Sequence, residues 1–207
     1  MAKPLNRREQ KLEADGLSIG YFEAGNGDPV IVFPDEEGDF TDPVLSKIAE
    51  SHRIISLSLP GVYLATADQV AEKLPHALTR LGLEQCSVIG ISTGARPALA
   101  LAIAAPERVD RLILLSPLLP SDGDEFPDLA GVKTPTLVLV GTRDTSEAIA
   151  GGRLCREKIR DCHLSFIYGA SHPLAGDRPE ACQDAIVQFL EQGEQFIIFR
   201  ESQVIRR

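Results

Sequence analysis

Residues 86–98 read CSVIGISTGARPA, an apolar run that breaks at Gly90-Ile91-Ser92-Thr93-Gly94 and continues into alanine-rich sequence. The run is rich in Val and Ile without alternation, as a strand covered on both faces is, and the residues after it have helical character. A strand that turns sharply into a helix exposes a serine at the turn when glycines two residues to either side relieve the crowding. The same pentapeptide also serves as a plain strand-to-helix junction, so its meaning depends on the rest of the chain.

Similar short runs recur on both sides: PVIVF (29–33), RIISLSL (53–59), RLILLS (111–116), TPTLVLV (134–140) and HLSFIY (163–168). Helical patterns lie between several of them, at 67–82, 95–105, 146–159 and 178–192. Pro75 and the Gly151-Gly152 pair predict a kink or break in the first and third of these helices. Ahead of them, REQKLEADGLSIGYFE (8–23) predicts an antiparallel hairpin turning at Asp15-Gly16. Strands alternating with helices imply right-handed crossovers. The expected fold class is therefore α/β: a doubly wound, mostly parallel, eight-stranded sheet with an antiparallel N-terminal hairpin and helices on both faces. It forms a single domain over 1–207, with 194–207 as a C-terminal extension.

Composition bounds the function. With 207 residues, 43% hydrophobic and 25% charged, the chain can bury one substantial core. A formal charge of -9, with no Lys/Arg cluster interleaved with aromatics, argues against nucleic acid as a partner. The opening MAKPLNRREQKLEADG has no apolar signal region, and no stretch approaches the roughly 20 apolar residues of a membrane span, which predicts a cytoplasmic protein with no membrane partner. Cys86, Cys155, Cys162 and Cys182 have neither C-x-x-C spacing nor a pairing with histidines. They read as reduced thiols, Cys86 in the core, with no metal site or disulfide. GISTGARPA lacks G-x-G-x-x-G, and no acidic residue ends the next strand at the spacing a dinucleotide ribose needs, so no cofactor is expected.

In doubly wound sheets ligands bind beyond the carboxyl ends of the strands, and Ser92 lies at that edge. A serine hydroxyl is barely nucleophilic until a neighbour takes its proton. His52 precedes a strand, His76 lies within a helix and His163 starts a strand; these read as surface or packing histidines. His172, in the loop YGASHPLAGDRPE, follows the last strand at the same edge as Ser92. A carboxylate is needed to hold its imidazole, and Asp144 in VGTRDTS follows the preceding strand. Ser92, Asp144 and His172 thus sit after three different strands, in that chain order.

Over nearly its whole length the chain resembles the α/β-hydrolases. The resemblance is carried by GISTG as a nucleophile elbow, APERVDRLILLSP after its helix, GTRD bearing an acid, and GASHPLAGDRPEACQDAIVQFL bearing a histidine and the last helix. It implies Ser92 as nucleophile, Asp144 as acid and His172 as base. The backbone N–H of Thr93 would be the first oxyanion donor. The implied activity is acyl transfer to water through an acyl-enzyme, on a small ester, thioester or amide. Serine in place of aspartate at the elbow disfavours the haloalkane dehalogenase and epoxide hydrolase branches.

Three departures from the family pattern matter. Where relatives carry His-Gly after the third strand, this chain has VIVFPDEEGDF; with Pro34-Asp35 in that place, Glu36 supplies the second oxyanion N–H, or a neighbour does after a one-residue slip. A carboxylate roughly 5.5 Å from an oxyanion costs about 3 kcal/mol at an effective dielectric near 20, comparable to the roughly 2.7–4 kcal/mol one donor supplies. Asp35, Glu36 and Glu37 therefore form a solvated loop, or select cationic substrates, or weaken catalysis, according to where they point. The connection after RLILLSP is only about 17 residues (LLPSDGDEFPDLAGVKT), which predicts no cap domain; Asp122, Asp124 and Asp128 within it are fallback acids. LSLPG has Ser58 where relatives often have Asp, which says little about the chemistry.

The expected partner is a small-molecule acyl substrate. The apolar FIIF in the C-terminal segment packs on its own domain or forms a homodimer contact, and we favour the dimer. A non-catalytic binding module on a hydrolase scaffold is the alternative, motivated by the missing His-Gly and the acidic loop.

Overall fold

The computed structural model describes residues 8–14, 17–35, 42–58, 67–119, 128–172 and 174–193. Strands β1 (Arg8–Ala14) and β2 (Leu17–Ala24) pair antiparallel from Arg8↔Glu23 to Ala14↔Leu17. Residues 15–16, where the turn is expected, lie outside the described residues. After them come β3 (Asp28–Phe33), α1 (Asp42–Ile48), β4 (His52–Ser58), α2 (Ala67–Arg80), β5 (Cys86–Ile91), α3 (Ala95–Ala104), β6 (Val109–Leu115), β7 (Thr136–Gly141), α4 (Ser146–Lys158), β8 (Cys162–Ile167), α5 (Leu174–Asp177) and α6 (Pro179–Gln192). One eight-stranded sheet runs in the order β1-β2-β4-β3-β5-β6-β7-β8, antiparallel as far as β2-β4 and parallel from β4 onward.

The unalternated apolar runs have a direct cause. Successive side chains of a strand point to opposite faces, so a run is apolar throughout only if both faces are covered. Val88, Leu112, Leu114, Val138 and Val140 pack on one side with Leu78, Leu99, Leu101 and Cys155 from α2, α3 and α4. Ile89, Ile113, Leu115, Leu137 and Leu139 pack on the other with Leu45, Ile48, Ile186 and Phe189 from α1 and α6. Each fully buried side chain of this kind contributes about 1.5–3 kcal/mol relative to exposure.

The helix carrying ADQVAEKLPHALTR runs through Pro75 without the break that was one of the two expectations. The missing N–H costs one helical bond, but Leu74, Ala77 and Leu78 are buried around it and their packing holds the helix. The Pro75 carbonyl accepts from Thr79 Oγ1 at 3.1 Å and from Arg108 Nη1 at 2.9 Å. Helix α4 likewise runs unbroken through Gly151-Gly152. A Cβ on Gly151 would lie 2.3 Å from the Pro117 carbonyl oxygen, and one on Gly152 would lie 2.7 Å from Val140 Cγ2. These glycines let the helix approach the sheet; they do not end it.

Strand β3 lies between β4 and β5, so the crossovers leaving it go first to one side and then to the other. That reversal opens a crevice at the carboxyl ends of β3 and β5, where α/β sheets bind ligands. GISTG stands at this point. The β6-to-β7 connection carries, among the described residues, only a single 3-10 turn at Leu129–Gly131 and no cap helix. No helix among the described residues is long and apolar enough to cross a membrane.

Candidate active site

Ser92 follows β5 directly, opening a 3-10 turn (Ser92–Gly94) that leads into α3. Its φ is 52°, the left-handed region that residues with a Cβ avoid. Such strain persists where the surroundings over-determine it, and it recurs at functional sites. The flanking glycines are required by space: a Cβ on Gly94 would stand 2.2 Å from the Phe33 carbonyl oxygen, and one on Gly90 would stand 2.8 Å from Ala98 Cβ. The elbow is thus wedged between the end of β3 and the first turn of α3. Its outer side is tied down by Leu118 N–H, which donates to the Ser92 carbonyl at 3.1 Å.

The acid and histidine loops follow β7 and β8, which are neighbours, and backbone bonds join them. Arg143 N–H donates to the Ala170 carbonyl at 2.9 Å, and Gly169 N–H to Thr142 Oγ1 at 2.9 Å. One residue before His172, Ser171 donates both its N–H (2.9 Å) and its hydroxyl (2.5 Å) to Asp177 Oδ2. Those two bonds hold the Asp177 carboxyl below its ordinary range.

This scaffold brings the three expected residues together. Ser92 Oγ lies 3.0 Å from His172 Nε2, and His172 Nδ1 lies 2.9 Å from Asp144 Oδ1. The Asp144 side chain is fully buried and that of His172 is 27% exposed, so the histidine faces the crevice while the acid supports it from behind. Asp144 Oδ1 also accepts from Thr145 N–H at 2.8 Å. Its Oδ2 accepts from Gly141 N–H at 3.2 Å and from Ser116 Oγ at 2.5 Å. An ionised carboxylate only accepts, so the neutral imidazole carries its proton on Nδ1 and leaves the Nε2 lone pair for the serine hydroxyl.

The other candidates lie elsewhere. His52 is buried with Nδ1 at 2.9 Å from Ser51 Oγ, His163 stands 3.4 Å from Asp161, and His76 is exposed on α2. Asp128 accepts from Ala130 N–H and caps the 3-10 turn. Glu36, Glu37, Asp122 and Asp124 lie outside the described residues, as do 194–207. Asp35 is half-buried and accepts from Thr93 Oγ1 at 2.9 Å, which sets a carboxylate against the residue after Ser92. All four cysteines are free and buried, their thiols pushed up to about 12 by burial. No group of three or more His, Cys, Asp or Glu among the described residues is arranged to hold a metal ion.

Ser116 carries no signal in the sequence. It ends an apolar run as LLS, and nothing in that pattern marks it as the partner of an acid 28 positions further along.

The sheet order, the elbow after β5 and the Ser-His-Asp chain of hydrogen bonds together define the α/β-hydrolase fold, and residues 41–137 match the family model described as alpha/beta hydrolase fold. The chain has the α/β-hydrolase fold. It is 28% identical over 203 residues to a zearalenone hydrolase from Cladophialophora bantiana, covering 87% of this chain and 76% of that one. It is also 28% identical over 153 residues to the 2-hydroxy-6-oxononadienedioate/2-hydroxy-6-oxononatrienedioate hydrolase 2 of Pseudomonas putida, of which it spans only 52%. Among solved structures, naproxen esterase from Bacillus subtilis superposes with a TM-score of 0.78 at 15% identity, over 90% of this chain and 92% of that one. The enol-lactonase of Burkholderia xenovorans superposes at 0.78 with 16% identity, over 88% and 100%.

Proposed function

We propose that this protein is a serine hydrolase acting through an acyl-enzyme on a small ester, thioester or amide. The observation that carries the proposal is the continuous hydrogen-bond chain from Ser92 Oγ through His172 to the buried Asp144. Hydrolase names among the relatives support it.

In this scheme His172 Nε2 takes the Ser92 proton as Oγ bonds to the carbonyl carbon. Asp144 stabilises the imidazolium through Nδ1–H. The resulting oxyanion is met by the N–H of Thr93, with that of Glu36 as the donor expected from the sequence, aided by the positive end of α3. Collapse breaks the bond to the leaving group, which receives the proton from Nε2. Water, deprotonated by the same nitrogen, then attacks the acyl-enzyme and restores Ser92. Without a cap helix among the described residues, the crevice suits a small, accessible substrate. We also place the protein in a reducing compartment, the cytosol, on its four free buried thiols, and assign 194–207 to a homodimer contact.

A fluorophosphonate probe tests the proposal directly. Wild type labels and Ser92→Ala does not; absence of labelling in wild type, or equal labelling of the variant, removes it. Asp35 favours a second reading, a binding module with impaired chemistry, because its carboxylate sits beside the first oxyanion donor. Ester turnover that disappears in His172→Ala excludes that alternative, and a faster Asp35→Asn would show that the carboxylate opposes the oxyanion.

A further inference from the structure

Among the described residues only two that are not glycine have a positive φ: Ser92 at 52° and Ser116 at 46°. Each directly follows a strand at the same sheet edge, and the second follows β6, which lies between the strands that lead to Ser92 and Asp144. Ser116 is 2% exposed, and its N–H donates to the Leu139 carbonyl on β7 at 2.8 Å. Its hydroxyl donates to Asp144 Oδ2 at 2.5 Å, a charge-assisted distance, whereas the other donor to that oxygen, Gly141 N–H, stands at 3.2 Å.

We propose that Ser116 is a positioning residue of the triad, a role that rests on Ser92 and His172 acting as nucleophile and base. Rotation of the Asp144 carboxylate would withdraw Oδ1 from His172 Nδ1 and release the imidazole to the other tautomer, which cannot accept the serine proton. The short bond from Ser116 is the main restraint on Oδ2 against that rotation. The left-handed backbone is what the fold tolerates in order to direct this hydroxyl at the acid.

Ser116→Gly separates this role from a merely structural one. It removes the hydroxyl but also relieves the strained φ, so the lost bond and the relieved strain offset each other and Tm stays within about 4 °C of wild type. With p-nitrophenyl acetate, kcat falls about tenfold to a hundredfold while KM changes less than about twofold. The low-field proton resonance of His172 Nδ1–H, identified by its absence in His172→Ala, weakens or moves upfield. Ser116→Ala, which keeps the strain, loses activity to the same degree. A kcat within about twofold of wild type in both variants, with the resonance unmoved, overturns the proposal. Should wild type show no turnover, the hydrolase reading fails separately, and the resonance alone decides: unmoved in Ser116→Gly, it overturns this proposal too.

Discussion

Replacing Gly94 by alanine tests the close approach that shapes the elbow. The added Cβ would lie 2.2 Å from the Phe33 carbonyl oxygen, 2.7 Å from its carbonyl carbon and 2.7 Å from the Pro34 carbonyl oxygen, all backbone atoms. Since no side chain can swing aside, the end of β3 and the elbow must part by roughly 1 Å to restore ordinary contact distances. Phe33 is paired with Gly90 in the sheet, so the displacement strains a central strand pairing. Overpacking of this kind costs about 1–3 kcal/mol, or about 2–12 °C in Tm for a chain of this size. The same shift carries Ser92 away from His172, now 3.0 Å distant, and a misplacement near 1 Å costs roughly a hundredfold in rate. Gly131→Ala is the control, because its Cβ would meet nothing closer than Ile103 Cγ2 at 3.7 Å. Thermal melts and the rate of fluorophosphonate labelling are the assays. Were Gly94→Ala to melt and label like Gly131→Ala and wild type, steric exclusion at this turn would be the wrong account of the glycine.

The thiols and the histidine loop give two further expectations. Burial lifts Cys86, Cys155, Cys162 and Cys182 from 9.0 to about 12, so in the native protein they stay neutral and unreactive towards Ellman's reagent at pH 8, and all four react in guanidinium. Because the folded values exceed the unfolded one, their contribution to stability is whole below pH 9 and declines as pH rises towards 12; a flat denaturation midpoint across that window contradicts it. Asp177 has the opposite sign. Its carboxyl is held below 3.8 by hydrogen bonds from Ser171, so its hold on the histidine loop is intact above that pH and is lost as pH falls through the lower folded value. Hydrogen exchange at Ser171 N–H, referenced to a core amide such as Val138, should gain in relative rate there and not in Asp177→Asn.

Much of this architecture was legible because the signals are local. PVIVF, CSVIGI and TLVLV carry consecutive apolar residues with no alternation, as a strand covered on both faces does, and their spacing with helices between them dictates parallel crossovers. The meeting of Ser92, His172 and Asp144 was legible for the same reason: each sits just past a strand end, and all such ends share one edge of the sheet. Pro75 and Gly151-Gly152 misled because their local cost is real but smaller than what packing returns, and the Pro117 carbonyl that explains Gly151 is 34 residues away in sequence. Ser116 was invisible for a related reason, since its conformation and its partner Asp144 exist only once β6 and β7 lie side by side. Glu36, expected as an oxyanion donor, lies outside the described residues and keeps only its sequence-based assignment.

Ser92 and His172 touch across 80 positions of chain, with two parallel strands, β6 and β7, intervening in the sheet between β5 and β8. Parallel pairing is non-local by construction, since each strand must wait for its crossover to close, and such contacts form late and slowly. The contact between Ser92 and His172 is therefore absent throughout most of the refolding path. A newly made chain passes through its collapsed and partly ordered stages with these two side chains apart, and they meet only when the last strand joins the sheet. Their contact is a report of completed topology.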